Sequence, residues 1–174
     1  METSIPHQSS GHAGQAVHAI ERGPGAPVPS TFIYSLGLGI GALLEQTAPL
    51  SLGRGPVSTF QALVGGGLVV LGVSLFFWSL QTFAAAKTGI MPVRSASCVV
   101  MTGPYRFSRN PMYVSFTAIY VGAALALSLP WAFVLLPGVF VAILGMVILR
   151  EERYMQGQFG ATYREYCRRV PRWL

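Results

Sequence analysis

The sequence predicts an all-α, polytopic membrane protein: about four transmembrane helices, with a tight C-terminal helical hairpin and an interfacial C-terminal helix. Three observations lead there. Only 10% of the residues are charged, where an ordinary soluble domain carries about 25%. The apolar residues gather into runs near the roughly 20 residues that cross a bilayer. The basic residues cluster between and after those runs, with a net charge of +6. That pattern suits topology and lipid headgroups rather than nucleic acid, so the bilayer is the expected partner and nucleic acid is not.

Residues 1–30 read as a disordered cytosolic tail, rich in Pro and small polar residues and without an apolar run. It has no apolar core of a signal peptide. His7, His12 and His18 lie there at spacings that make no metal site, and no metal is expected. The membrane domain then occupies 31–174. Its first segment runs from Thr31 to about Leu50. The glycines Gly37, Gly39 and Gly41 resemble a nucleotide-cradling loop, but such a loop needs a strand before it, and here the run is apolar throughout. Gly37 and Gly41 instead form a small-residue face for close helix packing. Glu45, near the end of the segment, is expected at the interface.

A short loop with Gly53, Gly55 and Pro56 leads to the second segment, Thr59–Ala86, which contains no charge. Gly65, Gly66, Gly67 and Gly72 allow a close neighbour there. Residues 87–110 form the longest loop, with Lys87, Arg94, Arg106 and Arg109. Its apolar strip Ser97–Val100 is expected to tuck against the membrane domain. The third segment, Pro111–Ser128, and the fourth, Pro130–Leu149, follow each other so closely that they make the hairpin. It reads as apolar all round, hence lipid-facing, with a kink at Pro137-Gly138.

From Arg150 the chain is polar. Phe159-Gly160 should break the helix, and Thr162 with Glu165 matches a capping box that opens a last helix. Tyr163, Tyr166 and Val170 share one face of it, and with its arginines and Trp173 it is expected to lie in the interface plane. Four segments put both termini on one side. Of the 12 Lys and Arg, 11 fall on that side and only Arg54 falls opposite. The positive-inside rule places both termini and the 87–110 loop in the cytosol. Cys98 and Cys167 fall on that side too and read as free thiols.

The density of special residues peaks from Gly103 to Tyr113. Gly103-Pro104 forces a turn. Asn110-Pro111 starts a helix, with Asn as N-cap and Pro at the first position, and delivers Tyr113 onto its first turn. Glu151-Glu152 lies on the same membrane side. Two glutamates at the cytosolic end of a helix oppose its dipole, which favours a functional reason for them. They can equally pair with Arg150, Arg153 or the loop arginines, and Tyr105 and Tyr113 can equally be interfacial anchors.

Taken together, Gly103-Pro104-Tyr105, Arg109 to Tyr113, Glu151-Glu152, Phe159-Gly160 with Tyr163 and Tyr166, and Val170-Pro171-Arg172 resemble the isoprenylcysteine carboxyl methyltransferase and phospholipid methyltransferase superfamily. The resemblance spans 59–174 and implies an integral membrane enzyme that uses S-adenosylmethionine as cofactor. It implies that the cofactor is held by Ser97, Cys98, Val99, Val100, Tyr105, Asn110, Pro111, Met112, Tyr113 and Glu151, with Glu152 beside it. Arg109 and Arg150 are the cations available to an acceptor, which would be an isoprenylcysteine-like carboxylate, a lipid amine, or a small thiol or acid, and which is expected to enter sideways between the hairpin and the second segment. The prenylcysteine branch has His where this chain has Asn110, and Arg where it has Val147, so the pattern is nearer the phospholipid branch. Two other readings stand beside this one. Membrane sterol reductases, which bind NADPH, carry a similar Gly-Pro-Tyr and Arg-Asn-Pro pattern, and a non-catalytic membrane scaffold would bind no cofactor.

Overall fold

The computed structural model describes residues 28–50, 57–86 and 98–174. The N-terminal tail through residue 27, Arg54, Lys87, Arg94 and Ser97 lie outside the described residues. Every described element is helical. Helix α1 is Ser30–Thr47, α2 Thr59–Ala85, α3 Pro111–Ala126, α4 Pro130–Ile143 and α5 Leu149–Arg169. A 3₁₀ turn at Gly103–Arg106 precedes α3, and a π-helical turn at Leu144–Ile148 joins α4 to α5.

Among the described residues, two helices are long and apolar enough to cross a membrane: α2, and the continuous helix Pro130–Arg169. Only 17% and 28% of their most apolar windows are buried within the protein, which separates them from the core helices of a soluble domain. Phe60, Leu63, Leu71, Phe77 and Trp78 make α2 an exposed apolar rod. In water that face would be a liability; in lipid it is ordinary.

Helix α3 is the centre of the bundle. Every residue from Pro111 to Ala126 is buried or half-buried, so α3 is not the lipid-facing element that its composition suggests. It packs mainly on α2, while α4 packs mainly on α1. The two helices flanking the short connector 127–129 therefore each find their chief partner elsewhere.

Small residues set the α2–α3 seam. A Cβ on Gly65 would stand 2.6 Å from the Gly122 carbonyl oxygen, and one on Gly122 would stand 2.6 Å from that of Gly65. About two turns further on, Gly72 meets Ser115 and Ile119. This seam is closed, and no lateral passage for an acceptor runs between α2 and α3 along it. Gly37 and Gly41 do the same for α1, against Val139 and Ala132 of α4. Gly66 and Gly67 meet nothing.

Side-chain hydroxyls and amides then fasten the helices where no water competes. The Tyr34 hydroxyl lies 3.2 Å from the Tyr113 carbonyl and 2.7 Å from Thr117 Oγ1. Tyr120 donates to the Ala132 carbonyl at 2.8 Å. Gln61 Nε2 donates to the Leu125 carbonyl and to Ser128 Oγ, both at 2.8 Å. Glu45 is half-buried, and its Oε2 is buried without a hydrogen-bond partner.

The helix that begins at Pro130 departs from its expected shape once. It runs through Pro137 to Ile143, and the irregularity comes later, as the π turn. As expected, it continues past Glu151-Glu152; its path kinks at Gly160, and Arg168 and Arg169 occupy the last turn of the stretch beyond. The glutamates therefore do not sit at a helix C-terminus, and the dipole penalty does not apply to them.

Gly65→Val should force the α2–α3 seam apart at a cost of about 1–3 kcal/mol, read as a lower thermal unfolding midpoint in detergent. Gly67→Ala, which meets open space, should be neutral or slightly stabilising, since Ala outranks Gly in a helix interior by about 1 kcal/mol.

Candidate functional site

The site forms where the apolar part of the helix from Pro130 ends and the loop before α3 crosses it. Gly103 has φ +57°, and a Cβ there would lie 2.5 Å from Thr82 Oγ1. Only glycine satisfies both the backbone and the close approach to α2. The 3₁₀ turn that follows buries Pro104 and Tyr105. Tyr105 meets Phe83 edge-on, with centroids 5.0 Å apart, and Ser79 hydrogen-bonds its hydroxyl. Tyr166 donates to the Tyr105 carbonyl at 2.8 Å, tying the turn to α5.

Helix α3 starts at Pro111 with Asn110 in the N-cap position, but the Asn110 side chain does not cap it. Its Nδ2 donates to the Arg172 carbonyl at 3.1 Å, and its own N–H is satisfied by Ser108 Oγ at 3.1 Å. Two residues into α3, Tyr113 points its hydroxyl at Glu151, 2.8 Å from Oε1 and 2.9 Å from Oε2. This phenol is the only partner that the hydrogen bonds among described residues give the Glu151 carboxylate.

Glu151 and Glu152 live in opposite surroundings. Glu152 is buried and accepts from Arg109 Nη1 at 3.0 Å and from Arg172 Nε and Nη2 at 2.9 and 2.6 Å. Its charge is fully matched. Glu151 lies just past the apolar run, and burial pushes its carboxyl up from 4.5 to about 7, against the lowering effect of the Tyr113 hydrogen bond and with a further rise from the Glu152 charge. Burial also raises the Tyr105 phenol, with the neighbouring Tyr166 and Glu151 adding to it.

Arg109 donates from Nη1 to Cys167 Sγ at 3.0 Å as well, while its Nε is buried with no hydrogen-bond partner. Arg150 is exposed. Cys98 and Cys167 are both free thiols. Val100 is buried, and Val99 packs on the cluster of Tyr163, Tyr166 and Val170. The apolar strip thus touches both parts: Val99 packs on α5, and Cys98 Sγ lies 3.9 Å from the Ala86 carbonyl at the end of α2. Among the described residues no cluster of His, Cys, Asp and Glu could hold a metal ion.

The last turns of α5 correct two expectations. Gly160 (φ 48°, ψ −113°) breaks the helical path as its sequence position suggests. The following stretch, however, is not opened by a capping box: Thr162 is exposed, and Glu165 pairs with Arg168 and Arg169 at 3.5 and 2.9 Å. Its apolar face also packs on protein, with Tyr163, Tyr166 and Val170 against Val99, Met155, Phe159 and Cys167. Little of that face is left to lie in a membrane interface. Arg172 is the residue that sequence reasoning missed. It was visible only as part of the Val170-Pro171-Arg172 motif, with nothing to name Glu152 as its partner.

The family model for phospholipid methyltransferase matches residues 60–162. Neither the curated proteins nor the solved structures contain a match to the chain.

Because its carboxyl is raised in the fold, Glu151 contributes stability that is fully present below about pH 4.5 and is lost as pH rises through about 7. Glu151→Gln should remove that dependence. Thermal midpoints measured from pH 4.5 to 8 should show the unmodified protein falling relative to the variant across this window, and parallel curves would contradict the assignment.

Proposed function

The chain belongs to the phospholipid methyltransferase family, and from that premise we propose that it is an integral membrane enzyme transferring a methyl group from S-adenosylmethionine to a lipidic or amphiphilic acceptor. The observation that carries the reading is the Tyr113–Glu151 pair: a half-buried, desolvated carboxylate with one phenol partner among the described residues, beside Tyr105, where the apolar run ends.

The residues present fit the donor. Its ammonium and ribose hydroxyls are hydrogen-bond donors, and Glu151 is a desolvated acceptor with lone pairs to spare. Its sulfonium is a cation, favoured by the aromatic faces of Tyr105 and Tyr113. Its adenine suits the apolar surface of Val99 and Val100, with Cys98, Pro111 and Met112 as the adjoining wall and Ser97 assigned by resemblance. When bound, S-adenosylmethionine supplies an electrophilic methyl group on sulfur.

The chain's own residues orient and desolvate. Tyr113 holds the Glu151 carboxylate from both oxygens. Glu152 is committed to two arginines and acts beside the donor as a positioning group, and Asn110 shapes the start of α3 through its bond to Arg172. Arg109, whose Nε is a buried donor without an acceptor, is the better candidate for an anionic acceptor group; Arg150 offers an exposed cation nearby. In this reading four segments cross the membrane, α1 and α3 among them. Both termini and the 87–110 loop face the cytosol. The membrane is the cytoplasmic one in a bacterium and the endoplasmic reticulum in a eukaryote.

Incubating the purified chain in lipid with methyl-labelled S-adenosylmethionine should place label in the lipid extract, and mass spectrometry of that extract identifies the acceptor. No label, with donor-dependent oxidation of NADPH instead, would move the chain to the reductase reading. By calorimetry, Glu151→Ala should weaken S-adenosylhomocysteine binding by about ten-fold or more, the value of a lost charge-assisted hydrogen bond. Unchanged affinity would remove Glu151 from the site.

A further inference from the structure

Beyond α5 the chain turns back across the site instead of trailing away. Val170 leaves the helix in an extended conformation (φ −119°, ψ 126°). The Pro171 carbonyl then accepts from the Arg109 N–H at 2.9 Å. The Arg172 carbonyl accepts from Ser108 Oγ at 3.2 Å and from Asn110 Nδ2 at 3.1 Å. The Arg172 guanidinium forks onto both oxygens of Glu152. The Trp173 ring lies on Phe140 of α4, with centroids 4.6 Å apart and planes at 37°.

These contacts join three parts of the chain. Helix α5 forms no extended seam with any of α1 to α4. In the loop at Ser108–Asn110 the Arg109 side chain reaches Glu152 and Cys167 of α5, while Ser108 Oγ, Asn110 Nδ2 and the Arg109 N–H all turn to the tail. Yet the Tyr113–Glu151 pair needs α3 and α5 in fixed register. Each member of that pair has a gripped neighbour: Asn110, whose carbonyl accepts from the Tyr113 N–H at 3.0 Å, and Glu152, next in sequence to Glu151.

We propose that Pro171–Trp173 is a strap that holds Tyr113 and Glu151 in register, with Arg172 as its principal positioning residue. The strap's role in the site rests on the reading of that pair as part of the donor site. Arg172 touches neither Tyr113 nor Glu151. It acts through Glu152 on one side and through Ser108 and Asn110 on the other. The bidentate fork matters because a lysine can supply the charge but not two parallel bonds.

The test uses the full chain in lipid nanodiscs, with amide hydrogen exchange and S-adenosylhomocysteine calorimetry on the unmodified protein, Arg172→Met and Arg172→Lys. Arg172→Met should speed exchange over 108–114 by about ten-fold or more and weaken S-adenosylhomocysteine by a similar factor, with exchange around Gly65 of α2 unchanged. Arg172→Lys should recover part of both. Unchanged exchange over 108–114 would overturn the strap, and faster exchange there with unchanged affinity would overturn its positioning role. If Arg172→Met exchanges faster everywhere, Arg172→Lys decides. A rise confined to 108–114 with weaker binding supports the strap, and a uniform rise or none overturns it. If the unmodified protein binds no S-adenosylhomocysteine, the donor-site reading and the positioning role fall together, while the exchange pattern still decides whether the strap holds the loop.

Discussion

The structure depends most on one buried carboxylate. Taking the Glu152 charge out of water costs several kcal/mol, and the fold recovers that only because two guanidiniums meet both of its oxygens. Removing both guanidiniums would leave a buried charge uncompensated, a loss of about 3–5 kcal/mol in comparable sites. What those arginines bring with them matters as much. Arg109 brings the loop before α3, and Arg172 brings the chain's last residues. The adjacent Glu151 is built on the opposite principle, with desolvation and a phenol but, among the described residues, no guanidinium. Adjacent residues of one kind thereby acquire distinct surroundings, the arrangement from which separate roles are made.

The bundle shows how a short helix can be the central one. Helix α3 has 16 residues, about 24 Å of rise, less than the roughly 30 Å of a bilayer's hydrocarbon core. Surrounded by α1, α2 and α4, it need not match that thickness alone. Glycines bring α2 onto it at backbone distance. Tyr34 and Gln61 reach it from α1 and α2 with hydrogen bonds, and its own Tyr120 reaches α4.

Helix positions were legible in the sequence because burial in lipid demands uninterrupted apolar runs. The run expected from Thr31 to about Leu50 is a helix over Ser30–Thr47, and that from Thr59 to Ala86 ends one residue earlier. The start of α3 was marked by Asn110-Pro111, and the break at Gly160 by its glycine. Which helix faces which was not legible, since α3 and α4 are apolar on every side. Nor was Asn110's true partner. A carbonyl 62 residues away leaves no trace in local spacing, whereas an N-cap does. The pairing of Glu152 with Arg172 escaped for the same reason.

The π turn at Leu144–Ile148 carries no such signature, yet it sets the angular phase of the helix from there to the kink at Gly160. It holds one more residue than an α-helical turn, so the helix beyond it is rotated by about 100° relative to an unbroken continuation. Ala132, Val139 and Ile143 are buried before it, and Glu152 is buried after it. The two sides of the turn thus serve two partners in two different phases: the membrane bundle before it and the polar loop and strap after it. The extra residue lets the apolar scaffold and the glutamate pair mounted upon it be oriented independently along one chain segment.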